Sequence, residues 1–337
     1  MTAEPESSSS SRETKRITRQ QTMGCLAVGY TAILMICVLS SLATNKASNS
    51  QPAWSPDGSQ IAFSSYRRLG PRICIMNADG GNLHCATAGN MIGDQPVWSP
   101  DGGRIAFTSA GRVCVMDTTG NPVRCLTGTS VRAYYPTWSP DGNQIAFLSV
   151  DDKITAIYVV DTDGNNLRHL IDCFGHAHTP WPIAWSPDGR RIVFAASPGI
   201  VAGHGEEPGV TALYAIDTTG DNLQHLAEPG YSCLTLSRDE TEIITCARGC
   251  YTVSVAGSES RRIADAPKLD EFPFLGLCTA LSPDNSQIAF AANQGGDYEI
   301  FTMNADGSHL RRLTYYSVWD RLLRDVPLVP FIESGQK

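Results

Sequence analysis

A chain of 337 residues, 42% hydrophobic and 18% charged, is long enough for one large all-β domain or two smaller ones. Its net charge of −8, with no basic stripe beyond the N-terminus, excludes a general nucleic-acid binder, because phosphate affinity needs clustered Lys and Arg. The 30 glycines and 20 prolines suit many short strands joined by many turns.

In chain order, residues 1–22 are polar and Ser-rich and read as a disordered cytoplasmic tail. Met23–Ala43 carries no charge and is long enough, as a helix, to cross a hydrocarbon layer of roughly 30 Å. A transmembrane signal-anchor is therefore expected over 23–44, followed by a linker over 45–51. Arg12, Lys15, Arg16 and Arg19 precede the run and only Lys46 closely follows, so the positive-inside bias places the rest of the chain outside the cell membrane. Ser41-Leu42-Ala43 is also a passable cleavage site, which would make the remainder secreted or periplasmic. Cys25 opens the apolar run instead of following it, which fits a lipoprotein poorly.

From Pro52 the sequence repeats. PAWSPDGSQIAF, PVWSPDGGRIAF, PTWSPDGNQIAF and IAWSPDGRRIVF start at Pro52, Pro96, Pro136 and Ile183, with worn copies at Leu234 and Thr279. The Trp position falls at 54, 98, 138 and 185, then carries Leu at 236 and 281. These spacings match four-stranded propeller blades. A second piece follows each first one, as in ICIMNADGGNLHCA from Ile73 and IYVVDTDGNNLRHL from Ile157. Ser-Pro-Asp-Gly forms a type I turn, Ile-Ala-Phe a strand covered on both faces, and Asn-Ala-Asp-Gly a hairpin turn. Each repeat thus gives four antiparallel strands, A to D. The recurring Trp is expected to fill the wedge between neighbouring blades, and the recurring Asp to hold its turn.

These motifs resemble the repeats of TolB-type, WD-repeat-like propellers over 52–314. The resemblance implies an all-β fold, a six-bladed β-propeller of four-stranded antiparallel blades serving mainly as a binding platform, which the apolar run would precede as one N-terminal transmembrane helix. The repeat departs from the pattern at Ser237-Arg238-Asp239-Glu240, which makes the fifth unit the least certain. Residues 315–337 read as a tail or closing segment, in which Asp325-Val326-Pro327 echoes the Asp94-Gln95-Pro96 lead-in.

Nine of the 11 cysteines follow the apolar run, in what should be an oxidising space. Cys74 and Cys85 are placed symmetrically about the Asp79-Gly80 turn, and Cys114 and Cys125 about Thr119-Gly120, so two cross-strand disulfides are expected. Cys246 and Cys250 flank another short turn and form a third candidate pair.

Strand alternation puts the regular A–B and C–D turns on one face and the irregular B–C and D–A loops on the other, where binding usually resides. Around the fourth unit these loops carry Asp172, Cys173, His176 and His178, then His204, Glu206 and Glu207. His176, His178 and His204 are candidate ligands for a divalent metal, although their spacing is not diagnostic. Asp270 and Glu271 read as solvated loop charges. No Gly-x-Ser-x-Gly elbow occurs, which disfavours a serine-peptidase propeller. No Gly-rich phosphate loop leads from a strand into a helix, and no small-molecule cofactor is expected.

The reading is a non-catalytic binding platform for a protein, peptide or envelope glycan, held at the membrane by its N-terminal helix. The alternative is a metal-assisted polysaccharide lyase or hydrolase on the same propeller.

Overall fold

The computed structural model describes residues 48–67, 70–87, 91–150, 154–175, 183–196, 212–227, 234–236, 242–246, 250–254, 260–264, 279–294 and 297–315. They form four-stranded antiparallel sheets, each built from consecutive strands. The innermost strands run Ser48–Trp54 in blade one, Asp94–Trp98 in blade two, Ala133–Trp138 in blade three and Ala184–Trp185 in blade four. Thr279–Leu281 begins the closing blade. Each innermost strand touches the next, and Ser48–Trp54 also packs on Gln287–Gln294 and Asp297–Asn304 of the closing blade, so the first and closing blades meet.

The Trp side chains do what their recurrence predicts. Trp54, Trp98, Trp138 and Trp185 are all buried, and each indole nitrogen donates to a backbone carbonyl of the preceding blade: Ala280, Ala53, Val97 and Thr137, at 3.1–3.2 Å. Apolar clusters fill the wedges. Trp54, Phe63 and Met76 pack with Ala289 and Ile300; Ile73, Trp98 and Phe107 form the next cluster, and Val113, Trp138 and Phe147 the one after. Leu148, Ile157, Trp185 and Phe194 join blades three and four.

In the A–B turns the Asp accepts from its own turn. Ser55 Oγ donates to Asp57 at 2.6 Å, and Ser139 Oγ to Asp141 at 2.6 Å. Gly102 sits at φ +70°, and a Cβ built on it would lie 3.7 Å from Pro56 Cδ, so these turns approach one another from blade to blade.

The expectation of a six-bladed propeller is corrected here. Among the described residues, buried apolar clusters involve five blades, the first four and the closing one. The worn fifth repeat contributes backbone pairing, as the strands Leu234–Leu236, Glu242–Cys246, Cys250–Ser254 and Ser260–Ala264. In this repeat Leu236 stands in place of the Trp, as Leu281 does in the closing blade, but Ser237-Arg238-Asp239-Glu240 replaces the Ser-Pro-Asp turn that the closing blade keeps at Ser282-Pro283-Asp284. Among the described residues there is no helix long and apolar enough to cross a membrane. Met23–Ala43 and the tail beyond 315 lie outside the described residues.

Both expected disulfides are present. Cys74 is directly opposite Cys85, and Cys114 opposite Cys125, and each pair is bonded. The same register position holds Tyr158 opposite His169 and Tyr214 opposite His225, as edge-on ring pairs with centroids 5.2 and 5.3 Å apart. Cys246 and Cys250 also face each other in the backbone register.

Candidate functional site: the loop-face mouth of the ring

Innermost strands begin at the D–A loops and second strands end at the B–C loops, so both meet at the irregular-loop end of the central opening. Three of the innermost strands are bulged there at one repeated position, three residues before the Trp. Gln51, Gln95 and Tyr135 occupy it with φ of 54°, 58° and 51°. A non-glycine residue in this region costs on the order of 1–3 kcal/mol and persists only where its surroundings hold it.

The surroundings are a relay from blade to blade. The Gln95 amide donates to Gln51 Oε1 at 3.1 Å and to Ser64 Oγ at 2.9 Å. The Tyr135 amide in turn donates to Gln95 Oε1 at 2.7 Å, and Thr108 Oγ1 donates to the same oxygen at 3.2 Å. The left-handed turn thus aims each backbone amide at the previous blade's carboxamide.

Beside the relay, the Tyr66 hydroxyl donates to Asp94 Oδ2 at 2.5 Å, while Asp94 Oδ1 accepts the Gln95 amide at 2.9 Å. Burial, then the Asp94 charge, pushes Tyr66 above its ordinary range, so it stays a neutral donor. Tyr134, adjacent to the bulge, is exposed. Where the last blade meets the first, buried Glu299 accepts from Asn49 Nδ2 at 3.0 Å, from Arg312 at 2.9 Å and from the Thr314 hydroxyl. Burial pushes its carboxyl up, against the lowering pull of these partners.

The mouth therefore holds a fixed hydrogen-bonded network, with the exposed Tyr134 ring beside it. Among the described residues no group of three or more His, Cys, Asp or Glu could hold a metal. His176, His178 and His204 lie outside the described residues, as do Glu206, Glu207, Asp270 and Glu271. Asp172 and Cys173, expected in the D–A loop, lie instead in the outer strand Arg168–Gly175, where His169 pairs with Asp172 at 2.8 Å and the buried Cys173 thiol donates to the Thr155 carbonyl. An open cavity of about 650 Å³ lies on the opposite, turn-bearing face of blade four, lined by Asp188, Arg190, Arg191 and Asp217, with Arg191 and Asp217 paired at 3.2 Å.

Sequence reasoning located this face but missed its residues. The available signal was the residue before proline in Gln51-Pro52, Gln95-Pro96 and Tyr135-Pro136, three positions ahead of each Trp.

No family model matches the chain. Among solved structures it is similar to TolB from Acinetobacter baumannii, at 17% identity and a TM-score of 0.55, covering 78% of this chain and 62% of that one. It is similar to a Mycobacterium tuberculosis puromycin-hydrolysing peptidase, at 13% identity and a TM-score of 0.56, covering 81% and 53%. A chain of a nidogen/laminin complex matches at 12% identity and a TM-score of 0.51, covering 63% and 78%. The chain thus spans less than two thirds of the length of that TolB. At these identities the likeness speaks for architecture alone, and the architecture is that of the TolB-like β-propeller.

Proposed function

We propose that this chain is a non-catalytic recognition module that binds a protein or peptide across the loop-face mouth. The observation that carries this reading is the relay through Gln51, Gln95 and Tyr135, which holds strained backbone in place around an opening lined with rings and hydroxyls. Rigid presentation of such groups lowers the ordering cost of binding. A propeller similar in fold occurs in a protein–protein complex, which fits this use. The two disulfides favour an oxidising compartment outside the cytoplasm, to which the apolar run at Met23–Ala43 would direct the chain. An envelope glycan is the other ligand class for the same face.

Affinity capture of the native partner with the full chain tests this. Tyr134→Ala on the mouth should lower partner recovery by about tenfold or more, as for an interface anchor, while Thr119→Ala on the turn face should not. Equal recovery with both variants would refute the reading. The metal-assisted enzyme remains the second reading and rests on His176, His178 and His204. Near-stoichiometric zinc or manganese, lost on changing all three to Ala, would move it ahead.

A further inference from the structure

Glu299, Arg112 and Arg72 occupy the same repeat position, one residue before Ile300, Val113 and Ile73 of the third strands. In the closing blade the buried Glu299 has three partners: Asn49 from the next blade, Arg312 and Thr314. The counterparts around Arg112 are Ala133, Cys125 and Thr127. Ala133 has no polar side-chain atom, Cys125 is held in its disulfide, and the Thr127 hydroxyl accepts the Val113 amide at 3.0 Å. As a result Arg112 Nε is buried with no hydrogen-bond partner among the described residues. An unpaired buried donor of a charged group is costly, and a missing ligand is one standard reason for it.

The surroundings suit an anion. The B–C turn of blade two is tight, with Ala110 and Gly111 at φ 49° and 73°. It is pinned by the Ala133 amide donating to the Gly111 carbonyl at 2.9 Å, and a Cβ on Gly111 would lie 3.7 Å from Arg132 Cα. Exposed Arg132 therefore lies against Gly111, the residue before Arg112 in the chain, with exposed Tyr134 two residues on. Among the described residues the nearby acid Asp94 is engaged by Tyr66 and the Gln95 amide. On the opposite face exposed Asp57, Asp101, Asp141, Asp188 and Asp284 repeat from blade to blade, with Arg190 and Arg191 beside them in blade four.

We propose that Arg112, Arg132 and Tyr134 form the subsite for a carboxylate side chain of an acidic peptide segment of the partner. This deepens the recognition reading above and rests on it. Guanidinium groups take carboxylates through paired, charge-assisted hydrogen bonds, which a buried Nε and a neighbouring exposed Arg together provide.

The test is fluorescence anisotropy of the full chain with a labelled, capped peptide of alternating Glu and Ser, compared with its Lys-Ser counterpart. The Glu peptide should bind, more weakly as salt rises, and lose about tenfold or more in affinity in Arg132→Glu and in Arg112→Gln. The Lys peptide should not bind. A Glu peptide that fails to bind, or binds Arg132→Glu as well as wild type, overturns the proposal. Arg132 is exposed, so that variant decides even if Arg112→Gln fails to fold. Native partner captured undiminished by Arg132→Glu but lost with Tyr134→Ala would overturn this subsite alone. Capture undiminished by both would bring down the recognition reading itself.

Discussion

The side-chain oxygen of Gln95 accepts the backbone amide of Tyr135 at 2.7 Å, across the boundary between blades two and three. The bond joins residues 40 apart in sequence and holds Tyr135 in a left-handed conformation. Gln95→Ala removes the acceptor and leaves that part-buried amide unpaired. The expected loss is about 1–3 kcal/mol in urea unfolding, and Gln95→Glu, which keeps an oxygen there, should lose less. Equal losses would place the effect elsewhere.

The Trp hydrogen bonds make a second, separable contribution. Trp98→Phe keeps most of the apolar bulk but deletes the donor to the Ala53 carbonyl. We expect about 1–3 kcal/mol of destabilisation, from the unpaired carbonyl and the smaller ring together. Trp98→Ala should cost about 3–5 kcal/mol. A Phe variant as unstable as the Ala variant would show that volume plays no part.

How much of this was legible in the sequence depended on distance along the chain. The Trp positions, the Ser-Pro-Asp-Gly turns and both disulfides were readable because each is fixed by spacing within one repeat. The relay was not, because Gln51, Gln95 and Tyr135 acquire meaning only when neighbouring blades are packed. Counting repeats also suggested six blades, two of them degenerate, and the fifth repeat is the one whose Ser-Pro-Asp turn is lost, at Ser237-Arg238-Asp239. The candidate metal ligands sat in loops with no repeat to anchor them, and they lie outside the described residues.

The two disulfides pin outer strands that are only two residues long, His84–Cys85 and Arg124–Cys125. Blades three and four have longer outer strands, Arg168–Gly175 and Gln224–Ala227, and use Tyr–His ring pairs at that position. Non-reducing peptide mapping should recover Cys74–Cys85 and Cys114–Cys125. Cys74→Ser with Cys85→Ser should lower stability by about 2–4 kcal/mol. Other pairings, or no loss, would contradict this account.

Acid should weaken the fold through its turns. Hydrogen bonds from Ser282 and Ser286 pull Asp284 from its ordinary value of 3.8 to about 2, and Asp57, Asp101, Asp141 and Asp188 are lowered by the same contacts, led by the turn Ser. A carboxyl lowered in the folded state stabilises it above the unfolded value, and that stabilisation is lost as pH falls through the folded value. For Asp284 the window runs from 3.8 down to about 2. Glu299 has the opposite sign, since burial raises it and its ionisation weakens the fold as pH rises through its ordinary range. Changing the five turn aspartates to Asn should flatten the decline in unfolding midpoint through this window. An unchanged slope would assign acid sensitivity to other groups.

The most direct test of the central claim is photocrosslinking in cells, with a photoreactive amino acid placed in the full chain either at Tyr134 on the mouth or at Thr119 on the opposite turn face. The account predicts a discrete crosslinked partner from position 134 and none from position 119. Crosslinks from 119 alone, or the same partner from both, would contradict recognition through the loop-face mouth.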